Sequence, residues 1–265
     1  METLTVPHVR AHNTGGVPRL VTHLGAAAFA VAAAWFWLAV KNVTVAAAPR
    51  TGPGAAPQQA MRIYYHWLGT TLPQERYYTS IAIAGFGCLA ATGIFLRDLL
   101  DRDRALARTG ALAVGAGALL WVTGSVFELG GHHAVGLMAT HANLIETTNS
   151  IAFTIDMTTD AFALAAFTLI GAGMLAFAAA LYGGHRTWAG GTVVVAVAML
   201  ITAGAYAAGN DNFLDLMVFA IGLVLLPGWL VWTGRIRRAR DAHPAPRLRV
   251  RQSRRRTPWT AMSRS

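Results

Sequence analysis

Residues 157–182 read MTTDAFALAAFTLIGAGMLAFAAALY, a run of 26 residues in which Asp160 carries the only charge. About 20 apolar residues in a helix suffice to cross the roughly 30 Å hydrocarbon core of a bilayer. The predicted spans are 20–41, 77–97, 108–128, 157–182, 188–209 and 213–234. Backbone groups in lipid must be satisfied within their own segment, and no period-two alternation is present, so the segments predict helices. The sequence therefore predicts an all-α, polytopic integral membrane helix bundle with six transmembrane helices.

The overall composition agrees with this fold class. Hydrophobic residues make up 54% of the 265 positions, charged residues only 13%, and the mean hydropathy is +0.43. A soluble domain carries about a quarter charged residues. The net charge of +10 does not predict a nucleic-acid partner, because eleven of the 22 basic residues lie in the last 31 positions. The single cysteine, Cys88, excludes an intrachain disulfide and any cysteine-based metal motif.

Basic residues predict the orientation, because Lys and Arg concentrate on the cytoplasmic side of membrane proteins. With the N-terminus in the cytoplasm, that side holds 18 Lys and Arg residues and the opposite side holds four. We therefore expect a protein of the cell membrane with both termini cytoplasmic. The expected organisation is a cytoplasmic segment 1–19, a transmembrane domain 20–234 and a basic, disordered cytoplasmic tail 235–265.

The predicted partners follow from the same features. The bilayer surrounds the domain, and the Arg-rich tail can contact anionic lipid at about 1 kcal/mol per basic residue. The tail can equally serve as a topology anchor with no further role. Glycine-rich helix faces permit close contact with a second copy or with another membrane protein.

The segments outside the spans are expected to be less regular. Residues 49–59 are rich in Pro and Gly and predict irregular structure. Residues 61–76 predict a short interfacial helix that ends near Pro73, and residues 129–156 predict a polar outer loop. Pro227 predicts a kink in the last span.

Acidic side chains recur at one depth in three predicted spans. Glu128 lies 20 residues after Arg108, Asp160 lies about 22 residues before Tyr182, and Asp215 lies 20 residues before Arg235. Each interval corresponds to about 30 Å of helix, so the carboxylates lie at the extracytoplasmic edge. Asp156 lies one turn beyond Asp160 on the same helix face. We expect Glu128, Asp156 and Asp160 to act as acid, base or coupling groups.

The second outer region, GGHHAVGLMATHANLIETTNS (130–150), adds imidazoles to this level. Its candidate metal ligands are His132, His133, His141 and Glu146, and the further polar candidates at this end are His66, Asp211 and Asp215. Imidazole and carboxylate suit Zn²⁺, Cu²⁺ or non-haem iron, and they also suit a proton relay. The spacing matches no established metal motif, and the same residues also fit solvated side chains that bind nothing. The cofactor is therefore unidentified, with a divalent metal as the one candidate.

Three classes of function remain open. A transporter or channel for a small solute or ion would use the carboxylates at its extracytoplasmic mouth as gate or coupling groups. A membrane-embedded enzyme would use them as acid and base, or the histidines as metal ligands, on a lipophilic substrate. A non-catalytic subunit of a membrane complex would use the glycine-rich faces for assembly.

Overall fold

The structure, a computed structural model, describes residues 16–39, 57–100, 104–139, 141 and 144–242. These residues are 96% helical and contain no strand. The helices are α1 (Gly16–Trp35), α2 (Pro57–Leu99), α3 (Arg104–Met138), α4 (Ile145–Tyr182), α5 (Arg186–Ala208), α6 (Asp211–Ala220) and α7 (Leu226–Ala242). A π-helical turn, Ile221–Leu225, joins α6 directly to α7.

Six helical segments are long and apolar enough to cross a membrane, which confirms the predicted fold class. They are Arg19–Ala39, Pro73–Leu99, Ala105–Met138, Ile145–Tyr182, Arg186–Ala208 and Phe213–Arg235. Each segment packs against the next one along the chain, and the sixth closes the ring against α1. The protein is therefore a multi-pass membrane protein built as a ring of six spans.

The two ends of this ring carry opposite charges. One end, which we call the arginine end, has these residues at or near the ends of the spans: Arg19, Arg97, Arg108, Arg186 and Arg235. The opposite end, which we call the carboxylate end, contains Glu128, Asp156, Asp160 and Asp215.

A glycine every seventh residue brings α3 against α4. Gly110, Gly117, Gly124 and Gly131 lie on one face of α3, because seven residues are close to two helical turns. A β-carbon at Gly117 would lie 2.7 Å from the backbone oxygen of Ala166. Gly110 faces Gly173 near one end and Gly131 faces Ile155 near the other, so the two helices are antiparallel. Only glycine permits this approach along the shared length.

Helix α2 corrects the prediction of a short interfacial helix. It runs without interruption from Pro57 to Leu99 with Pro73 inside it, a length of about 65 Å. The interior proline removes one backbone hydrogen bond, but buried residues on both sides, Tyr65 and Thr79, hold the helix in place. The predicted irregular stretch 49–59 is helical from residue 57, and its other residues lie outside the described ranges.

The predicted outer loop 129–156 is also wrong, because α3 continues to Met138 and α4 begins at Ile145. Together with residues 57–72 of α2, these segments form a three-helix unit beyond the ring, which we call the extension. It has its own buried cluster of side chains: Tyr65, Val135, Ala139, Ile145, Ala152 and Ile155. The Tyr65 hydroxyl donates a hydrogen bond to Asn149 Oδ1 at 2.7 Å. The exposed residues of this segment are polar, which is why the sequence predicted a loop, whereas its buried residues form an apolar core.

The sixth span begins at a defined turn and continues past the predicted boundary. Gly209 takes a left-handed conformation (φ 60°), and Asn210 Oδ1 accepts a hydrogen bond from the backbone N–H of Phe213 at 3.2 Å. Just before Pro227 the backbone departs from the α-helix as the π-helical turn. Helix α7 continues to Ala242, so the start of the predicted disordered tail is helical. Residues 1–15 and 243–265 lie outside the described ranges.

Candidate functional site

The four predicted carboxylates lie on three helices at the carboxylate end. Glu128 is on α3, Asp156 and Asp160 are on α4, and Asp215 is on α6. Glu128, Asp160 and Asp215 are partly buried, whereas the side chain of Asp156 is 59% exposed. Glu128 lies within electrostatic range of Asp156 and Asp160 and also of Glu75. The structure therefore brings Glu128, Asp156 and Asp160 near one another.

His132 bridges two helices of the extension at its junction with the ring. Its Nδ1 lies 3.5 Å from Oε2 of Glu75 on α2, and its Nε2 lies 3.5 Å from Oδ1 of Asp156 on α4. The imidazole is largely buried, with 12% of its side chain exposed. A carboxylate only accepts hydrogen bonds, so the ring satisfies both partners only when both nitrogens carry protons. His132 therefore ties α3 to α2 and α4.

The other predicted metal ligands do not join His132. Four of the predicted polar candidates have exposed side chains: His66, His133, His141 and Glu146. Asp211 is the first residue of α6, but its side chain lies outside the described portion. Glu75 and Asp156 lie at opposite nitrogens of His132, so the three cannot share one ion. Within the described ranges, no group of three or more His, Cys, Asp or Glu residues could hold a metal ion.

A cavity of about 390 Å³ lies at the centre of the ring beside Glu128 and Asp215. We call it the carboxylate chamber. Every span contributes to its wall: Phe36, Tyr78, Thr79, Trp121, Gly124, Ser125, Glu128, Thr159, Ala163, Tyr206, Leu214, Asp215 and Val218. The described wall has two carboxylates, three aromatic rings with a polar group, and no basic residue. Its volume falls in the range of small-molecule sites, which are a few hundred Å³.

One hydroxyl of this wall lacks a hydrogen bond. Most threonine hydroxyls in these helices donate to the carbonyl four residues earlier, as Thr158 does to Thr154 at 2.7 Å. The Oγ1 of Thr159 is buried and has no hydrogen-bond partner among the described residues. Buried polar atoms normally have a partner, so this hydroxyl is left for a ligand or a water molecule.

A second, smaller cavity of about 60 Å³ continues from the first towards the arginine end. We call it the aromatic chamber. Both chambers share the side chains of Tyr78, Trp121, Tyr206 and Val218. The remaining wall is apolar: Phe29, Ala32, Ala33, Ala82, Phe86, Phe167, Ile221, Gly222 and Leu226. The aromatic chamber thus reaches the π-helical turn at the middle of the sixth span.

Stacked rings hold the shared wall in place. Phe86 stacks on Trp121 with ring centroids 4.2 Å apart, and Phe167 stacks on Tyr206 with centroids 5.8 Å apart. Phe29 meets Phe86 edge to face at 5.1 Å. Beyond these rings, the arginine-end half is filled by fully buried side chains such as Leu89, Met174 and Leu230.

Several residues of this region were not predicted from the sequence. Glu75, Tyr78, Trp121 and Tyr206 are not among the candidates that the sequence analysis names. Aromatic residues are common in membrane spans. That these three lie at the same depth is apparent only when the positions of the helices relative to one another are known.

The negative potential of this end also reaches the extension. Burial, and then the charges of Asp156 and Glu75, raise the pKa of Tyr64 above its ordinary value. Burial and Asp156 likewise raise the pKa of Tyr65.

Comparisons with protein-family models, curated proteins and solved structures found no match for this chain.

Proposed function

We propose that this chain is a transport protein for a small solute, which binds in the carboxylate chamber. The observation that carries the proposal is a cavity whose wall includes residues from all six spans and two partly buried carboxylates. Ionisable residues within membrane spans face a bundle interior or a water-filled cavity and commonly mark a substrate path. A subunit that only assembles with partners has no need of such a cavity.

The depth of the two chambers supports a path rather than a surface site. The carboxylate chamber lies at one end, and the aromatic chamber extends to Ile221 and Leu226. These residues lie near the midpoint of the span Phe213–Arg235. Transport proteins commonly bind substrate near the midplane, at interrupted helices. A π-helical turn is an interruption of this kind and is frequent at functional sites.

The packed arginine-end half fits a transport protein closed on one side. In the proposed orientation both termini are cytoplasmic, and the carboxylate end faces outward, as the 18-to-4 distribution of Lys and Arg favours. Solute then enters the chamber from outside. Release requires the contacts between α1, the π-helical turn and α7 to separate, because these elements close the inner side of the aromatic chamber.

Cysteine accessibility tests this proposal without knowledge of the solute. Cys88 is the only cysteine, so Cys88→Ala gives a thiol-free background. In that background Ser125→Cys places a thiol in the wall of the carboxylate chamber. A membrane-impermeant thiol reagent, applied to either side of sealed proteoliposomes, reports which side reaches it. Leu112→Cys is the control, because Leu112 is 69% exposed on the lipid-facing surface of α3.

We expect the thiol at position 125 to be labelled from both sides and the thiol at position 112 from neither. Labelling of position 125 from the carboxylate side alone would refute transport and favour an enzyme or a binding subunit that uses the same chamber. Labelling from neither side would show that the chamber is sealed, and it would refute all uses of the chamber by a water-borne solute.

A further inference from the structure

We infer that the ligand of the two chambers is a small organic cation, with its ammonium group in the carboxylate chamber and a short apolar substituent in the aromatic chamber. This inference rests on the proposed function for the identity of the site. It adds the chemical class of the solute.

The sign of the charge follows from the wall of the carboxylate chamber. Glu128 and Asp215 contribute carboxylates, and no Lys, Arg or His lines the described wall. His132 does not line the chamber but lies within electrostatic range of Glu128, and its two ring nitrogens face Glu75 and Asp156. The described wall therefore carries acidic and no basic side chains, which disfavours an anion and favours a cation.

The width and chemistry of the wall favour an organic cation over a metal ion. Ca²⁺ and Mg²⁺ need six or more oxygen ligands at about 2.0–2.6 Å, and within the described ranges no three His, Cys, Asp or Glu side chains are grouped to hold a metal ion. A chamber of about 390 Å³ exceeds the size of any bare ion. Tyr78, Trp121 and Tyr206 instead line the chamber with aromatic rings, and such rings attract ammonium groups.

The unpartnered hydroxyl of Thr159 adds a polar contact to this wall. Its Oγ1 is buried next to Ala163 in the same wall and accepts no hydrogen bond from a described residue. An ammonium N–H, or a water molecule in the hydration shell of the cation, can donate to it. Together the wall offers negative charge, aromatic rings and the unpartnered hydroxyl of Thr159.

The aromatic chamber specifies the rest of the ligand. Its unshared wall contains only apolar side chains and Gly222, and Phe29, Phe86 and Phe167 form most of the ring surface. A volume of about 60 Å³ admits a small group, not a second charged molecule. Because Trp121 and Tyr206 border both chambers, a ligand whose charged group contacts these rings directs a substituent into the apolar space.

Equilibrium binding to the purified full chain in detergent tests the inference. The probes are tetramethylammonium, ethyltrimethylammonium and propyltrimethylammonium, with the uncharged carbon isostere of the last, 2,2-dimethylpentane, and the anion butyrate as controls. We expect only the cations to bind. Each methylene that enters the aromatic chamber should tighten binding about fourfold, because burying one methylene is worth about 0.8 kcal/mol.

Two variants test the contribution of each chamber to binding separately. Glu128→Gln should weaken all three cations at least tenfold, and Asp215→Asn serves the same purpose if the first variant does not fold. Ala82→Leu fills the aromatic chamber, since Ala82 is 3% exposed and lines it. It should abolish the gain from ethyl and propyl groups while tetramethylammonium binding stays within twofold of the wild type. Asp98→Asn, which changes an exposed carboxylate at the arginine end, should alter none of these values.

The outcomes distinguish this inference from the proposed function. Binding of the uncharged isostere or of butyrate as tightly as the cations, or equal affinities along the alkyl series, would overturn the inference. Absence of binding by every cation would do the same. Cation binding together with thiol labelling from one side only would retain the ligand class and refute transport.

Discussion

Substitution of Gly117 tests whether close contact between α3 and α4 holds the site together. An added β-carbon would lie 2.7 Å from the backbone oxygen of Ala166 and 3.1 Å from the backbone nitrogen of Ile170. Backbone atoms cannot rotate away as a flexible side chain can. Gly115, two residues earlier, has no atom within 4 Å of the corresponding position and is the matched control. We predict that Gly117→Ala destabilises the protein and Gly115→Ala does not.

The magnitude follows from the displacement that the new atom requires. Ordinary contacts of a β-carbon begin at about 3.4 Å, so α3 and α4 must separate by about 0.7 Å. A gap of this size forfeits a quarter to a half of each dispersion contact. For on the order of 30 atom pairs at about 0.15 kcal/mol each, the loss is about 1.5 kcal/mol. This agrees with the 1–3 kcal/mol typical of overpacking.

The comparison of the two variants removes the effect of helix propensity. Alanine favours a helix over glycine by up to about 1 kcal/mol at either position, so this term cancels in the difference. Reversible unfolding in mixed micelles with increasing denaturing detergent gives the free energy of unfolding of each variant. We expect Gly117→Ala to be less stable than Gly115→Ala by about 1.5–3 kcal/mol. Equal stabilities within about 0.5 kcal/mol would refute the close approach of α3 and α4.

The extension gives two further predictions. Val135→Ala should lower its local stability by about 2 kcal/mol, because Val135 is fully buried and loses two carbon atoms, whereas Leu137→Ala at a 59% exposed position should change little. Hydrogen exchange in peptides from residues 57–67 and 144–152 should rise for the first variant alone, and identical exchange would contradict the buried cluster. Tyr64 should ionise above its ordinary pKa in an ultraviolet absorbance titration, and Asp156→Asn should lower that midpoint only in part, because burial is the larger cause. Its contribution to stability is present below the ordinary tyrosine pKa and is lost as the pH rises through the raised pKa, so a Tyr64 midpoint unchanged by Asp156→Asn would contradict the electrostatic part.

The spans and their shared carboxylate level could be predicted from the sequence because both depend on distance along one helix. A rise of 1.5 Å per residue relates Glu128 to Arg108 and Asp215 to Arg235 without any knowledge of neighbouring helices. In the structure Asp215 and Arg235 lie near opposite ends of the span Phe213–Arg235, whereas α3 continues ten residues beyond Glu128 to Met138.

The extension could not be predicted because its signal is weak in each segment. Residues 130–150 contain three histidines and several small or polar side chains, which resemble a loop when read alone. Their helices are stabilised by contacts across the chain, as between Tyr65 and Asn149, which are 84 residues apart. Pro73 likewise suggested an end of helix α2, and tertiary packing outweighed that local preference.

The chambers depend on which faces of neighbouring helices contact each other, and a single sequence does not specify these contacts. Gly124 and Gly131 flank Glu128 by four residues and three residues, so the carboxylate lies near the same face of α3 that approaches α4. Phe162 of α4 packs its side chain onto Gly124, and the residues of α4 that line the chamber, Thr159 and Ala163, are smaller. The small residues that allow the two helices to touch therefore also leave the space beside Glu128. In this bundle, small residues on the contacting faces of α3 and α4 contribute both to the packing of the two helices and to the carboxylate-lined cavity. A substitution that separates these helices should therefore alter the cavity as well as the stability of the protein.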